Sequence, residues 1–166
     1  MPTHDDWERR LAAAWAALDE YGEPRAAEFR ELVDGLVAEL PAGSAIGAFE
    51  RACAFDSTGH SDRAVPLYRE AIEAGLTGIR RRRAAIQMAS SLRNLGRATE
   101  SVELLTAELE QPSDELDDAV KCVLALALTD IGREREAVSL AVGALARHLP
   151  RYQRSMANYA RHLVET

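Results

Sequence analysis

The chain has 166 residues, 47% of them apolar but only 5% aromatic, and its formal net charge is −7. That length suits one domain or one short solenoid, with a core drawn mainly from Ala, Leu and Val. The acidic balance argues against a nucleic-acid binder, since phosphate neutralisation calls for a basic surface, and no apolar run approaches the ~20 residues of a membrane span.

The first residues, Met1 to Asp6, are polar and acidic, without the basic and apolar stretches of a secretory leader. A cytoplasmic protein is therefore expected. Helical periodicity then predicts a hairpin of about 5–21 and 24–40, with Pro24 at a helix start and Pro41 closing it. The second hairpin covers about 43–58 and 61–74, with Ser61 as the expected N-cap and Pro66 causing at most a small kink. The third covers about 79–95 and 97–110, ending at Gln111-Pro112-Ser113; the fourth covers about 114–131 and 133–148, ending at Pro150. A last helix, about 151–164, sets Tyr152, Met156, Tyr159, Ala160 and Leu163 at helical spacing. It is expected to cap the array or to meet a second protomer. No stretch alternates apolar and polar residues as a strand would, so the chain reads as all-α.

Four glycines mark the turns: Gly22, Gly59, Gly96 and Gly132 lie 37, 37 and 36 residues apart. A constant period of that size signals one helical hairpin copied and stacked. Four residues before each glycine stand Leu18, Phe55, Leu92 and Leu128; seven before stand Trp15, Ala52, Ala89 and Ala125; five after stand Ala27, Ala64, Ser101 and Ala137. Small residues on facing helices let the backbones approach while the leucines fill the flanking grooves.

This pattern, continued by Tyr68 and Ala71 after Gly59 and by Ala141 and Ala144 after Gly132, resembles the tetratricopeptide repeat. The third hairpin carries Glu108 where alanine is usual, and the first departs most, with Trp15, Glu31 and Asp34 at small or apolar positions. The stretches Phe55–Gly59 with Ala64–Tyr68, and Gln87–Arg97, resemble the bacterial group 5 subfamily. The resemblance implies a right-handed α-solenoid of stacked antiparallel hairpins with a C-terminal capping helix. It further implies protein–protein contacts, homodimerisation and no enzymatic activity. The whole of 1–166 is expected to form one domain: a degenerate hairpin at 5–41, repeats at 43–76, 79–111 and 114–149, and a cap at 151–164.

Signs of catalysis are thin. His4, His60, His148 and His162 are dispersed, and no metal, phosphate or nucleophile motif is present. Cys53 and Cys122 lack metal-ligand spacing and are expected to be reduced, buried thiols. No cofactor is expected. In a tetratricopeptide array the first helices line the groove, which directs attention to Asp56, Arg83, Ser90, Arg93, Asn94 and Asp130. Arg83, Ser90, Arg93 and Asn94 would form a donor-rich patch for a carboxylate or for peptide carbonyls. The other reading is that Asp56 and Asn94 serve neighbouring turns.

Charge is segregated. Leu76 to Arg97 holds six arginines and no acid, Glu100 to Asp118 eight acids and no base, and Ala137 to Val164 four arginines and no acid. Arg80 to Arg83 stand at a helix N-terminus, against the dipole, so they are expected to pair with Glu70, Glu73 or the 114–118 linker, or else with an acidic partner. Two functions follow: a module binding a peptide or protein in its groove as a homodimer, or a sensor taking a short peptide or small anion at Arg83 and Arg93.

Overall fold

Among the described residues the recurring apolar faces fold into helices and into no strand, and helix accounts for 75% of those residues. A computed structural model describes residues 3–165, so Met1, Pro2 and Thr166 lie outside it. The chain divides into two compact units, with the boundary between Ala84 and Ala85 inside one continuous helix.

The first unit contains α1 (His4–Ala16), the single-turn α2 (Leu18–Tyr21), a 3-10 turn (Glu23–Arg25), α3 (Ala26–Val37), α4 (Ala45–Asp56) and α5 (Ser61–Glu73). It also takes the start of α6 (Gly78–Asn94). The second unit continues α6 and adds α7 (Ala98–Leu109), α8 (Asp117–Asp130), α9 (Glu134–Ala146) and α10 (Gln153–His162).

Three turns are copies of one device. Gly59, Gly96 and Gly132 adopt φ of +81°, +73° and +77°, a left-handed conformation that glycine enters without steric cost. Each glycine N–H donates to the carbonyl three residues back, Asp56, Arg93 or Thr129, at 3.0–3.1 Å. The following residue, His60, Arg97 or Arg133, donates to Phe55, Leu92 or Leu128 at 2.9 Å. This is the Schellman closure, which satisfies carbonyls that a helix end otherwise orphans. The large apolar residue four before the glycine therefore has two duties: its carbonyl receives the closing bond while its side chain packs. In the second hairpin the His60 ring lies edge-on to Phe55, 6.1 Å between centroids.

The first hairpin breaks this rule. Its helix is interrupted at Ala17, and Gly22 has an extended ψ of −176°. Ala64, Ser101 and Ala137 are buried, but the corresponding Ala27 is exposed. The core shifts along α3 to Phe29, Val33, Leu36 and Val37, against Trp7, Leu11, Ala14 and the half-buried Trp15. Trp15 and Tyr21 both meet Phe29 edge-on, at 5.1 and 5.5 Å, and Trp7 donates to the Leu36 carbonyl at 2.8 Å. Burying each of Phe29 and Val33 contributes about 1.5–3 kcal/mol. Aromatic bulk here replaces the close backbone approach of the regular repeats.

In the second unit the core is aliphatic, built from Ala89, Val102, Leu105, Val120, Leu124 and Leu128. Two local expectations are corrected, while Pro66, the sixth residue of α5, leaves the helix continuous as expected. Ser61 is the first helical residue of α5, not its cap; His60 holds the cap position and makes no side-chain capping bond. The apolar set of α10 also splits. Ala160 is buried and its carbonyl accepts from Ser139 at 2.7 Å, fastening α10 to α9, whereas Tyr152 and Tyr159 are 73% and 63% exposed.

Candidate functional site

Residues at one register of a first helix share a face, because steps of three, four and seven return to the same side. On α8 that register holds Cys122, Leu126, Thr129 and Asp130, and all four are exposed, Leu126 by 51%. On α6 in the same unit it holds Ser90, Arg93 and Asn94, with Asn94 exposed and the others half-buried. An ion pair of 2.5 Å between Arg93 and Asp130 ties the two helices together. Thr129 is turned back onto its own helix, donating to the Ala125 carbonyl at 3.0 Å. The face thus has an apolar centre, Leu126 with Cys122, beside a polar rim.

Cys122 corrects the expectation of two buried thiols: its side of α8 faces solvent. Cys53, by contrast, is buried, and desolvation, with Glu50 adding to it, pushes its thiol up to about 12. A thiol so far from ionisation is no nucleophile at neutral pH.

At the matching register of α4 the face is closed. Phe49 and Cys53 are buried, with the Arg83 guanidinium 5.2 Å from the Phe49 ring and Tyr68 against both. Asp56 accepts the Tyr68 hydroxyl at 3.1 Å, and burial raises the Tyr68 phenol well above its ordinary range. Asp56 therefore anchors a core tyrosine. Of the six residues singled out from the sequence, Ser90, Arg93, Asn94 and Asp130 share the α6–α8 face, while Asp56 holds Tyr68 in the first unit and the exposed Arg83 lies over the Phe49 ring. Leu126 and Cys122, six and ten residues before Gly132, join the same face, a placement their register alone implies.

Of the arginine block, Arg80 departs from the expected pairing. Arg80 meets neither Glu70 nor Glu73: it holds Glu8 with both terminal nitrogens, at 3.0 and 2.6 Å, and Glu50 through Nε at 3.1 Å. Glu50 is buried and also accepts from Trp15 Nε1 at 2.9 Å. Desolvation raises the Glu50 carboxyl above its ordinary value despite Trp15 and Arg80, whereas the Arg80 hydrogen bonds lower that of Glu8. In the second unit Asp118 is held by Arg147 at 2.5 Å and by His148 at 2.8 Å, and its carboxyl is lowered by His148 first and then Arg147. Among the described residues no group of His, Cys, Asp and Glu could hold a metal ion, and no helix is long and apolar enough to cross a membrane.

A family model described as Tetratrico peptide repeat matches residues 45–163. No curated protein matches the chain. Among solved structures it is similar to a Podosopora anserina protein described as a kinesin light chain with nearly identical TPR-like repeats. The TM-score is 0.70 at 21% identity, over 99% of this chain and 86% of the other. A substituted form of that protein gives 0.68 at 21% identity, over 95% and 82%. At that identity the likeness establishes the fold, a helical-repeat α-solenoid, and nothing of a partner.

Proposed function

Because this chain belongs to the tetratricopeptide repeat family, whose general role is protein–protein interaction, we propose that it is a non-catalytic module gripping a peptide or protein on the α6–α8 face. The carrying observation is Leu126, a leucine left half in water between polar neighbours on a helix whose other leucines are buried. Recognition surfaces have this composition, an apolar anchor ringed by groups that fix orientation. Ser90, Asn94 and the Arg93–Asp130 pair would supply that ring.

Homodimerisation belongs to the same reading. Acidic 100–118 and the arginine-bearing 76–97 and 137–164 suit protomers that present opposite charges to each other. A cytoplasmic setting fits reduced cysteines. The alternative, a sensor for a small anion at Arg83 and Arg93, is weakened at Arg93, which already holds Asp130.

The test is an affinity pull-down from native lysate with the wild-type chain and Leu126→Glu. The variant should lose its captured partner while its melting temperature moves by no more than about 2 °C, as for an exposed substitution. Undiminished capture would remove the α6–α8 face from consideration.

A further inference from the structure

The slipped register of the first hairpin has a consequence on the other side of that unit. With Ala27 outside the core, an open trough of about 740 Å³ lies over α4, between α3 and α5. Its floor is apolar, made by Ala54, Phe55, Pro66 and Leu67. At one end two guanidiniums converge on the Phe55 ring, Arg63 at 4.4 Å and Arg30 at 5.6 Å from its centroid. Arg30 also donates to Thr58 Oγ1 at 2.9 Å, and that hydroxyl is fixed in turn on the Ala54 carbonyl at 2.7 Å. Among the described residues neither arginine meets a carboxylate, although Arg51 at the far end is already paired with Asp34 at 2.5 Å. Glu31 and Asp62 stand exposed at the rim and make no ion pair either.

Two guanidiniums held over an aromatic face have lost much of their rotamer freedom before any ligand arrives. Their donor forks match a carboxylate. The trough is far larger than one carboxylate and its apolar floor runs on past the arginines, which suits a chain better than a free ion. We propose that this trough binds an acidic peptide segment of a partner protein. One carboxylate side chain sits between Arg30 and Arg63, and an apolar neighbour lies on Ala54, Pro66 and Leu67. The site is separate from the α6–α8 face and stands or falls independently of it.

The experiment is an NMR titration of the full chain with an acetylated peptide alternating leucine and glutamate, with the same peptide carrying glutamine, and with sodium glutarate. The glutamate peptide should shift the Nε–H signals of Arg30 and Arg63, and its affinity should fall several-fold between about 50 and about 300 mM salt. Arg30→Gln with Arg63→Gln should weaken binding about tenfold or more. Ala27→Glu, which sets a carboxylate one helical turn from Arg30 at an exposed position, should also abolish it while the melting temperature stays within about 2 °C. Leu126→Glu should leave it unchanged. Equal binding of the glutamine peptide, equally tight binding of glutarate, or unchanged affinity in the double arginine variant would each overturn the proposal.

Discussion

Ser101 occupies the position that Ala64 and Ala137 hold in the neighbouring repeats, and its hydroxyl is fully buried without a hydrogen-bond partner among the described residues. An unsatisfied buried hydroxyl costs about 1–3 kcal/mol. Ser101→Ala should therefore raise stability by about 1 kcal/mol, or about 2–4 °C in melting temperature for a chain of this size, measurable by thermal unfolding. Glu50 and Glu8 titrate with opposite consequences. Glu50 has a raised folded pKa, so its favourable contribution is complete below the unfolded carboxylate value and is lost as pH rises through the folded one. Glu8 has a lowered pKa, so its contribution is present above the unfolded value and is lost as pH falls through the folded one. Glu50→Gln, measured by urea unfolding, should gain on the wild type as pH rises from about 4 to about 7. A constant difference across that window would remove Glu50 as the source. Arg80→Ala leaves the buried Glu50 without its cation and should cost about 3 kcal/mol.

At the scale of the element, glycines of the same composition have opposite roles. Gly96 sits at φ +73°, where a β-branched side chain crowds the following carbonyl. Gly96→Val should cost about 1–2 kcal/mol or more and shift the urea midpoint accordingly. Gly47 lies in α4, where an added Cβ would come within 2.8 Å of Val37 Cγ1, so Gly47→Ala should destabilise by forcing α3 and α4 apart. Gly35, exposed inside α3, has nothing within 4 Å of the same position. Gly35→Ala should instead stabilise by about 0.5–1 kcal/mol, because only the helix penalty of glycine is removed. The three substitutions separate turn geometry, packing and propensity in a single urea series.

For the whole molecule the relevant property is the uneven spread of a net charge of −7. If protomers meet through opposite blocks, light scattering should show a dimer at low ionic strength whose proportion falls as salt shortens the screening length to about 8 Å near physiological strength. A monomer under all conditions would remove homodimerisation while leaving the α6–α8 face untouched. Capture by that face should respond to Leu126→Glu more than to salt, since its centre is apolar.

The helices, the turns and the family were legible in the sequence because they rest on local rules. A left-handed turn wants glycine, a closing carbonyl wants a large apolar residue four positions earlier, and close-packed helices want alanine opposite alanine. Each condition is met within one hairpin and repeated in the next. The first hairpin announced its departure through Trp15, Glu31 and Asp34, but where its core would settle, on Phe29 and Val33, was not readable. Nor were the partners of Arg80, which lie 72 and 30 residues away at Glu8 and Glu50. The same register buries Phe49 and Cys53 on α4 and exposes Cys122 and Leu126 on α8. A side chain's register says which way it points; whether another element stands there to exclude water is decided only when the chain has folded.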